Sequence, residues 1–490
     1  MSTTNAAAPR KSAGTIYRAG TLAYNRRQLV VLFFWLLIGD LVFMVGNQFE
    51  PRVLPILLKQ AGASDAHIAW IVGTLIQVMQ LVLNPIYSYN SDRTRSRWGR
   101  RIPYLFVVTP FVSLLLVLTP YAPDIAAWLM RYSWMRALAQ NLPCPPAVLM
   151  YGLMVGVFYL FYTGTSSIYF YLFRDVVPES HMGRFLALFR IIGALATFIF
   201  NYWLFGLGVK FPKEVFLGMA LINFAGFMAM CWFVREGEYP PATSGAGKTT
   251  DADGAPSPKP ALPVRAARSV VTYFRECFSD PLNWWTYLCR LMVYASMTAS
   301  SFLVFFPMHE LGMDIDEIGR ALSWPSLVWI AVAFPVGLLL DKWKVFRVLR
   351  WALWIQSLAY LLSFFLIRGD TSFLVSSLVT GVMYWAIMLC QFMLGQEVFP
   401  ALYLGQFFSA NVVLQSVVIA LVVSPFCGWF FDAFKGVEQT LALPLLGTLK
   451  IGPYRYIMLI LGAIFSISLF SLYRVEAIMK KRGLATTRAK

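Results

Sequence analysis

The sequence predicts an all-α membrane protein, with twelve transmembrane helices arranged as two six-helix bundles. Three observations carry that prediction. Hydrophobic residues make up 58% of the 490-residue chain and charged residues only 13%, more apolar surface than a soluble domain can bury. The apolar residues gather into twelve runs, each close to the roughly 20 residues that cross a hydrocarbon core. Two separate motifs in the first half of the chain recur in the second.

The runs lie at about 29–50, 67–89, 104–121, 147–172, 183–206, 214–234, 284–306, 318–340, 348–367, 372–395, 405–431 and 453–474. A basic tail, residues 1–28, precedes them, with Arg10, Lys11, Arg18, Arg26 and Arg27. Residues 29–235 form the N-terminal bundle, 236–282 a linker, 283–475 the C-terminal bundle and 476–490 a second tail. The linker's Pro, Gly, Ala and Ser content predicts disorder up to about Pro263, and Leu262 to Phe278 reads as a basic amphipathic helix on the membrane surface. An even number of spans puts both termini on one side. Five arginines between Asn84 and Tyr104 put that side in the cytoplasm, because basic loops resist translocation. Lys342, Lys344, Arg347, Arg350, Arg474, Lys480, Lys481 and Arg482 agree. No short apolar segment at the N-terminus resembles a cleavable signal, so the first span directs insertion.

The repeats are explicit. The stretch from Phe173 to Phe185 matches that from Gly395 to Phe407, pairing Asp175 with Glu397, Pro178 with Pro400 and Gly183 with Gly405, at an offset of 222 (397 − 175). Ser88-x-x-x-Asp92-Arg93 matches Gly337-x-x-x-Asp341-Lys342 at an offset of 249 (341 − 92). The difference fits an extra segment, roughly Ala122 to Pro146, outside the membrane. Parallel repeats around a central site are a transporter architecture.

The net charge of +17 sits in loops between apolar runs, which argues for topology and against nucleic acid. The six Cys have neither disulfide nor metal spacing. No phosphate loop, nucleophile triad or metal motif appears, so an enzyme is not expected and no cofactor is implied. The three His residues, His67, His181 and His309, are far apart and receive no chemistry.

The loop after the second span, with Asp92, Arg93, Gly99, Arg100 and Arg101, resembles the loop between the second and third spans of major facilitator transporters. Its Arg-Ser-Arg-Trp-Gly-Arg-Arg-x-Pro continuation is similar to glycoside–pentoside–hexuronide cation symporters and sucrose-transporter relatives, with Ser88 where that family has Gly. The resemblance implies the major facilitator fold and a carrier of sugars or glycosides working by alternating access. It implies that Asp92, Arg93, Gly99, Arg100, Arg101, Asp175, Asp341, Lys342 and Glu397 latch the cytoplasmic side. The sequence alone offers Asp92 as the sole acid among the five loop arginines.

Charges inside the bilayer cost about 2.5–3.5 kcal/mol each on translocon scales, so each invites a reason. Asp40 lies midway along span 1, with Asn47 seven residues on and on the same face. It reads as a structurally held buried acid, or as a site for sugar hydroxyls or a proton; the family places a substrate-binding Asp there. Arg190, in span 5, reads as a snorkelling cation or as the family's substrate-contacting Arg, and pairing with Asp40 would serve both. Tyr162 and Tyr169 share a face of span 4 and read as ring-stacking partners for sugar or as packing residues; Ser166 lies between them. The family's cation site needs two acids on span 2, but Gln80 and Asn84 stand there, with Thr163 the matching hydroxyl on span 4. Amides can ligate sodium but supply no charge, so coupling is expected to use a proton through Asp40, or to be absent. Glu50 and Arg52 read as rim residues. Other intramembrane polar groups, Arg290, Gln391, Asn411 and Gln415 among them, read as interhelical hydrogen bonds.

The expected partners are a small solute, a sugar by the resemblance, the lipid bilayer and, where transport is coupled, a proton. The expected form is a monomer in a bacterial inner membrane. A non-transporting scaffold on the same fold and an exporter of an amphipathic solute are the rival readings.

Overall fold

The computed structural model describes residues 16–141, 144–238, 275–400, 404–443 and 447–483; within them, the side chains of Glu50, Tyr89, Asp92, Leu138, Asp341, Phe392 and Leu443 are left out. Nearly every element is helical. The long helices are α1 (Arg26–Gly46), α2 (Asp65–Ser88), α3 (Ile102–Leu129), α4 (Pro146–Val176), α5 (Glu179–Lys210), α6 (Pro212–Phe233), α7 (Pro281–Ser300), α8 (Ile315–Leu340), α9 (Lys342–Leu366), α10 (Asp370–Val398), α11 (Leu404–Ala433) and α12 (Pro453–Lys481).

Eleven of these, among the described residues, are long and apolar enough to cross a membrane. The exception is α7, which fills the seventh position but carries Asn283, Thr286, Arg290 and Ser296, all buried. These groups are turned into protein, where Arg290 finds partners on other helices, so a composition count undervalues the helix.

Local chemistry sets the helix ends. Asn25 caps α1 through a reciprocal pair with Gln28, both bonds at 2.9 Å. Ser64 and His67 do the same before α2, and Asp314 with Glu317 before α8. Helices α4 and α10 stop at Val177 and Phe399, each in extended backbone before a proline that bars the helical conformation. Helices α8 and α9 run into one another across a kink at Lys344, whose φ is 65°.

Within the first half α1 packs on α5 and α6, and α3 on α4 and α6; within the second, α7 packs on α12 and α8 on α10. The halves meet where α2 lies against α11 and α5 against α8. Three of these interface helices contain a π-helical stretch, at Ala69–Leu75, Phe200–Leu204 and Ile419–Val423.

Three short elements depart from the sequence reading. Residues expected as tail form a hairpin, β1 (Tyr17–Ala19) with β2 (Leu22–Tyr24). The Tyr17 ring meets His181 edge-on at 4.5 Å, and Thr21 accepts the Glu238 amide at 2.9 Å. The inserted stretch after α3 holds a separate helix, Ser133–Gln140. A second hairpin, β3 (Gln439–Leu443) with β4 (Gly447–Ile451), joins α11 to α12. Strand pairs this short carry too little period-2 pattern to read. Most of the expected surface helix at 262–278 lies outside the described residues; 275–278 are helical.

Candidate functional site: a buried acid and a two-ended clasp

Asp40 is fully buried in α1. Both its carboxylate oxygens lack a hydrogen-bond partner among the described residues. Tyr169, a hydroxyl-bearing neighbour, donates instead to the Leu36 carbonyl at 2.6 Å. Arg190 is exposed on α5 and acts on Asp40 only through space, without an ion pair. The Asp40–Arg190 pair, which would have served both readings of these residues, is not made in this conformation.

Tyr162 and Tyr169 both pack on Phe43, Tyr162 stacked at 5.6 Å and Tyr169 tilted at 5.8 Å. Tyr162 donates to Asn47 at 2.7 Å, and the pair sits in the wall of a small cavity of about 50 Å³. Phe49, Phe158, Tyr159 and Phe216 supply much of its remaining lining. Tyr169 is fully buried, so here it packs and offers no open ring face.

The α2–α4 amide site is built differently from expectation. Asn84 accepts from Ser167 at 2.5 Å, not from Thr163. Thr163 is buried with its hydroxyl unpartnered among the described residues, and Ser166 donates to the Thr163 carbonyl at 3.1 Å. Gln80 is half-buried.

One end of the N-terminal half is braced by acids the loop itself does not contain. Arg100 grips Asp175, at the end of α4, with contacts of 2.5 and 3.0 Å, and Arg101 adds one at 3.3 Å. Glu236, just past α6, accepts the backbone amides of Arg100, Arg101 and Ile102 at 2.9, 2.7 and 2.6 Å. It thereby caps α3, satisfying donors that a helix start leaves bare. Gly99 makes room: its φ is +104°, and a Cβ there would stand 2.5 Å from Glu236. Asp92 is thus not the sole acid serving this loop; its side chain, like that of Asp341, lies outside the described residues. Arg93 and Lys342 are exposed. Glu397, exposed on α10, has Lys344 as its electrostatic neighbour, the C-terminal echo of Asp175 with its arginines.

At the opposite, distal end the two halves are fastened to each other. Asp432, closing α11, accepts the backbone amides of Asp65 and Ala66 at 2.9 and 2.8 Å and so caps α2 from across the interface. The Asp65 carboxylate takes Lys59 at 2.6 Å and the Tyr454 hydroxyl at 3.1 Å. Lys210, closing α5, reaches Asp314 at 3.2 Å and Asp316 at 2.6 Å, at the start of α8. Deeper in, Thr74 donates to the Ala420 carbonyl at 2.7 Å, Ser424 to that of Ala69, and Asn201 to that of Leu322 at 3.1 Å. All of these groups except Leu322 belong to or border the π-helical stretches, which recur at functional sites.

The sequence matches the Major Facilitator Superfamily over residues 36–423. The chain belongs to that superfamily. It is a multi-pass membrane transporter and not an enzyme. No curated protein matches its sequence. Among solved structures, a bacterial homologue of the human lysosomal transporter Spinster, inward-facing and unoccupied, is 15% identical with a TM-score of 0.61, covering 94% of this chain and 99% of that one. A bacterial homologue of the iron transporter ferroportin, inward-facing, is 14% identical with a TM-score of 0.59 over 91% and 99%. The nucleoside transporter NupG is 11% identical with a TM-score of 0.56 over 91% and 98%. At these identities the likeness establishes the fold alone.

In this major facilitator chain the C-terminal half also holds a polar core. Arg290, buried in α7, donates to Asn411 at 2.7 Å and to the Gln391 carbonyl, with Phe408 4.8 Å below its guanidinium. Gln415 adds a bond to Asn411 at 2.9 Å. The sequence reading of these residues as interhelical links holds for Arg290 and Asn411; the Gln415 bond lies within α11, and the Gln391 side chain has no partner among the described residues. Ser167, Glu236, Asp65, Lys210 and Asp432 were not singled out from sequence. Carrying the 222-residue offset from Asp175 onward would have paired Lys210 with Asp432; nothing local marks Glu236.

Proposed function

We propose that the protein is a secondary carrier that moves a small polar solute, a sugar or glycoside, across a bacterial inner membrane by alternating access. The observation that carries this reading is Asp40: a carboxylate at mid-membrane, fully buried, with both oxygens unpartnered among the described residues. A structural acid would be held by partners, since an unsatisfied charge in low dielectric is costly. Asp40 is instead available to solute hydroxyls or to a proton, and Arg190 enters when the halves rearrange. Asn47 and Tyr162, in the cavity wall, offer polar groups from α1 and α4; Ser166 and the buried Tyr169 join them only when the helices rearrange, with Gln80, Asn84 and Thr163 as a neutral polar patch on α2 and α4. The brace of Arg100, Arg101 and Asp175, with Asp92, Arg93, Gly99, Asp341, Lys342 and Glu397 around it, faces the cytoplasm together with both termini. The distal end then faces outward, and its fastening describes a carrier closed to the outside. Uptake of labelled sugars into proteoliposomes tests the reading. Sugar-dependent uptake lost in Asp40→Asn supports it; a correctly inserted protein that moves no solute of the panel sinks it.

A further inference from the structure

The distal fastening contains two imidazoles, and one of them, His67, is engaged by the Ser64 hydroxyl at 2.8 Å at the head of α2. His309 sits in the short helix Phe305–Glu310 beyond α7, with its outer edge in solvent. Its ring stacks on Tyr454 at 5.4 Å and 19° and lies 6.1 Å from Phe305. Lys59, from the other half, hangs 5.6 Å over each of those same two rings. The Tyr454 hydroxyl completes the arrangement by donating to both Asp65 oxygens at 3.1 Å. One aromatic pair therefore has a basic group from each half against it, and it exists only while the halves are together.

We infer that His309 is a proton-binding site controlling the distal seal, so that a proton taken up there from the distal side favours separation of the halves. The inference rests on the carrier reading above and adds a control to it. The charged neighbours are few. From the N-terminal half they are Lys59 and Asp65. From its own half they are Asp432, beside Tyr454, and Glu310, which is occupied by Arg455 at 3.2 Å and by the Gly452 amide at 3.1 Å. In the sealed form burial first, then the Lys59 ammonium, hold the imidazole below its ordinary 6.5, while Asp65 opposes them more weakly. When the halves part, Lys59 and Asp65 leave together and water reaches the ring, so the affinity for a proton returns toward the ordinary value. The open form then binds the proton more tightly, and linkage requires the proton to favour the open form. The seal is at full strength above pH 6.5 and loosens as the pH falls below it. With the distal end outward, external acid would present the empty site to the outside.

The test uses the full chain in proteoliposomes, with Cys144→Ser and spin labels at Gln60→Cys and Glu438→Cys, two exposed distal positions in opposite halves. Pulsed dipolar spectroscopy reads the fraction of molecules at the longer distance from about pH 7.5 to 5.5, spanning the imidazole range. That fraction is expected to rise with acid. His309→Gln is expected to flatten the response. Lys59→Gln, which removes one cause of the lowered affinity and so brings the sealed and open affinities closer, is expected to shrink the response. A response that survives in His309→Gln, an undiminished response in Lys59→Gln, or a distance distribution indifferent to pH in the parent would each overturn the inference. Solute uptake by the same vesicles is scored separately. Uptake with a pH-indifferent seal defeats His309 alone, and absence of uptake defeats the carrier reading.

Discussion

Lys210 and Asp432 occupy the same place in the two repeats, 222 residues apart (432 − 210), and carry opposite charges to the same kind of target. Each closes an interface helix and reaches the start of a helix in the other half: Lys210 the two aspartates that open α8, Asp432 the bare amides that open α2. Close approach is built in. Gly206 and Gly428, also 222 apart (428 − 206), lie at the two crossings; a Cβ on Gly428 would stand 2.7 Å from the Ala66 Cα, and one on Gly206 would strike Asp316.

Removing the cap should loosen the seal. Asp432→Ala leaves two amides of α2 without their acceptor, at a cost of about 1 kcal/mol, or roughly five-fold in the ratio of sealed to open molecules. Alkylation of the native Cys427, buried in α11 between Ser424 and Asp432, should speed up by that order. An unchanged rate would mean that Asp432 decorates a seal held elsewhere.

Glu236 should matter to stability rather than to solute affinity. Glu236→Ala strips the acceptor from three consecutive amides at the head of α3, and a loss of about 1–2 kcal/mol is expected. Thermal unfolding in detergent should show it, with Glu236→Gln intermediate. Gly99→Ala should be worse than a usual glycine replacement, since it combines a positive φ with a clash against Glu236.

Coupling should not need sodium. Gln80 and Asn84 supply no charge, and Asn84 is already engaged by Ser167, so a sodium ion there would be desolvated without an anion to compensate it. Uptake should be the same with and without a sodium gradient at fixed pH and potential. Asp40→Asn should abolish pH-driven accumulation and weaken solute binding about ten-fold or more, the scale of a charge-assisted hydrogen bond. Strong sodium dependence would establish the amide patch as a cation site.

Orientation is directly testable. A cysteine at Asp251 should be protected from impermeant reagents in intact cells, and one at Ala127 labelled. The reverse pattern would turn the whole scheme inside out, including the side from which His309 takes its proton.

The helices were legible because apolar runs and proline stops are local signals. The ends of α4 and α10 fall beside Pro178 and Pro400, within a few residues of expectation. The seventh span was legible as a run, yet Arg290 and its neighbours hide it from a composition count. The brace was half legible: the Arg cluster and Asp175 announce themselves, whereas Glu236 acts through backbone amides 134–136 residues away in sequence. The distal seal was the least legible, because capping across an interface leaves no spacing pattern in either partner. Asn84's choice of Ser167 over Thr163 turns on a few tens of degrees of helix rotation, which periodicity alone does not fix.

The inversion of charge between Lys210 and Asp432 also works as an address. Were two copies of the first half to meet as the halves do here, each Lys210 would confront the amide-rich head of α2 with Lys59 close by, cation against positive pole. Were two copies of the second half to meet, each Asp432 would face Asp314 and Asp316, three carboxylates in one place. Only the mixed pairing puts opposite signs together at both crossings. Fragments of the two halves produced separately are expected to recognise their complement and ignore their twin.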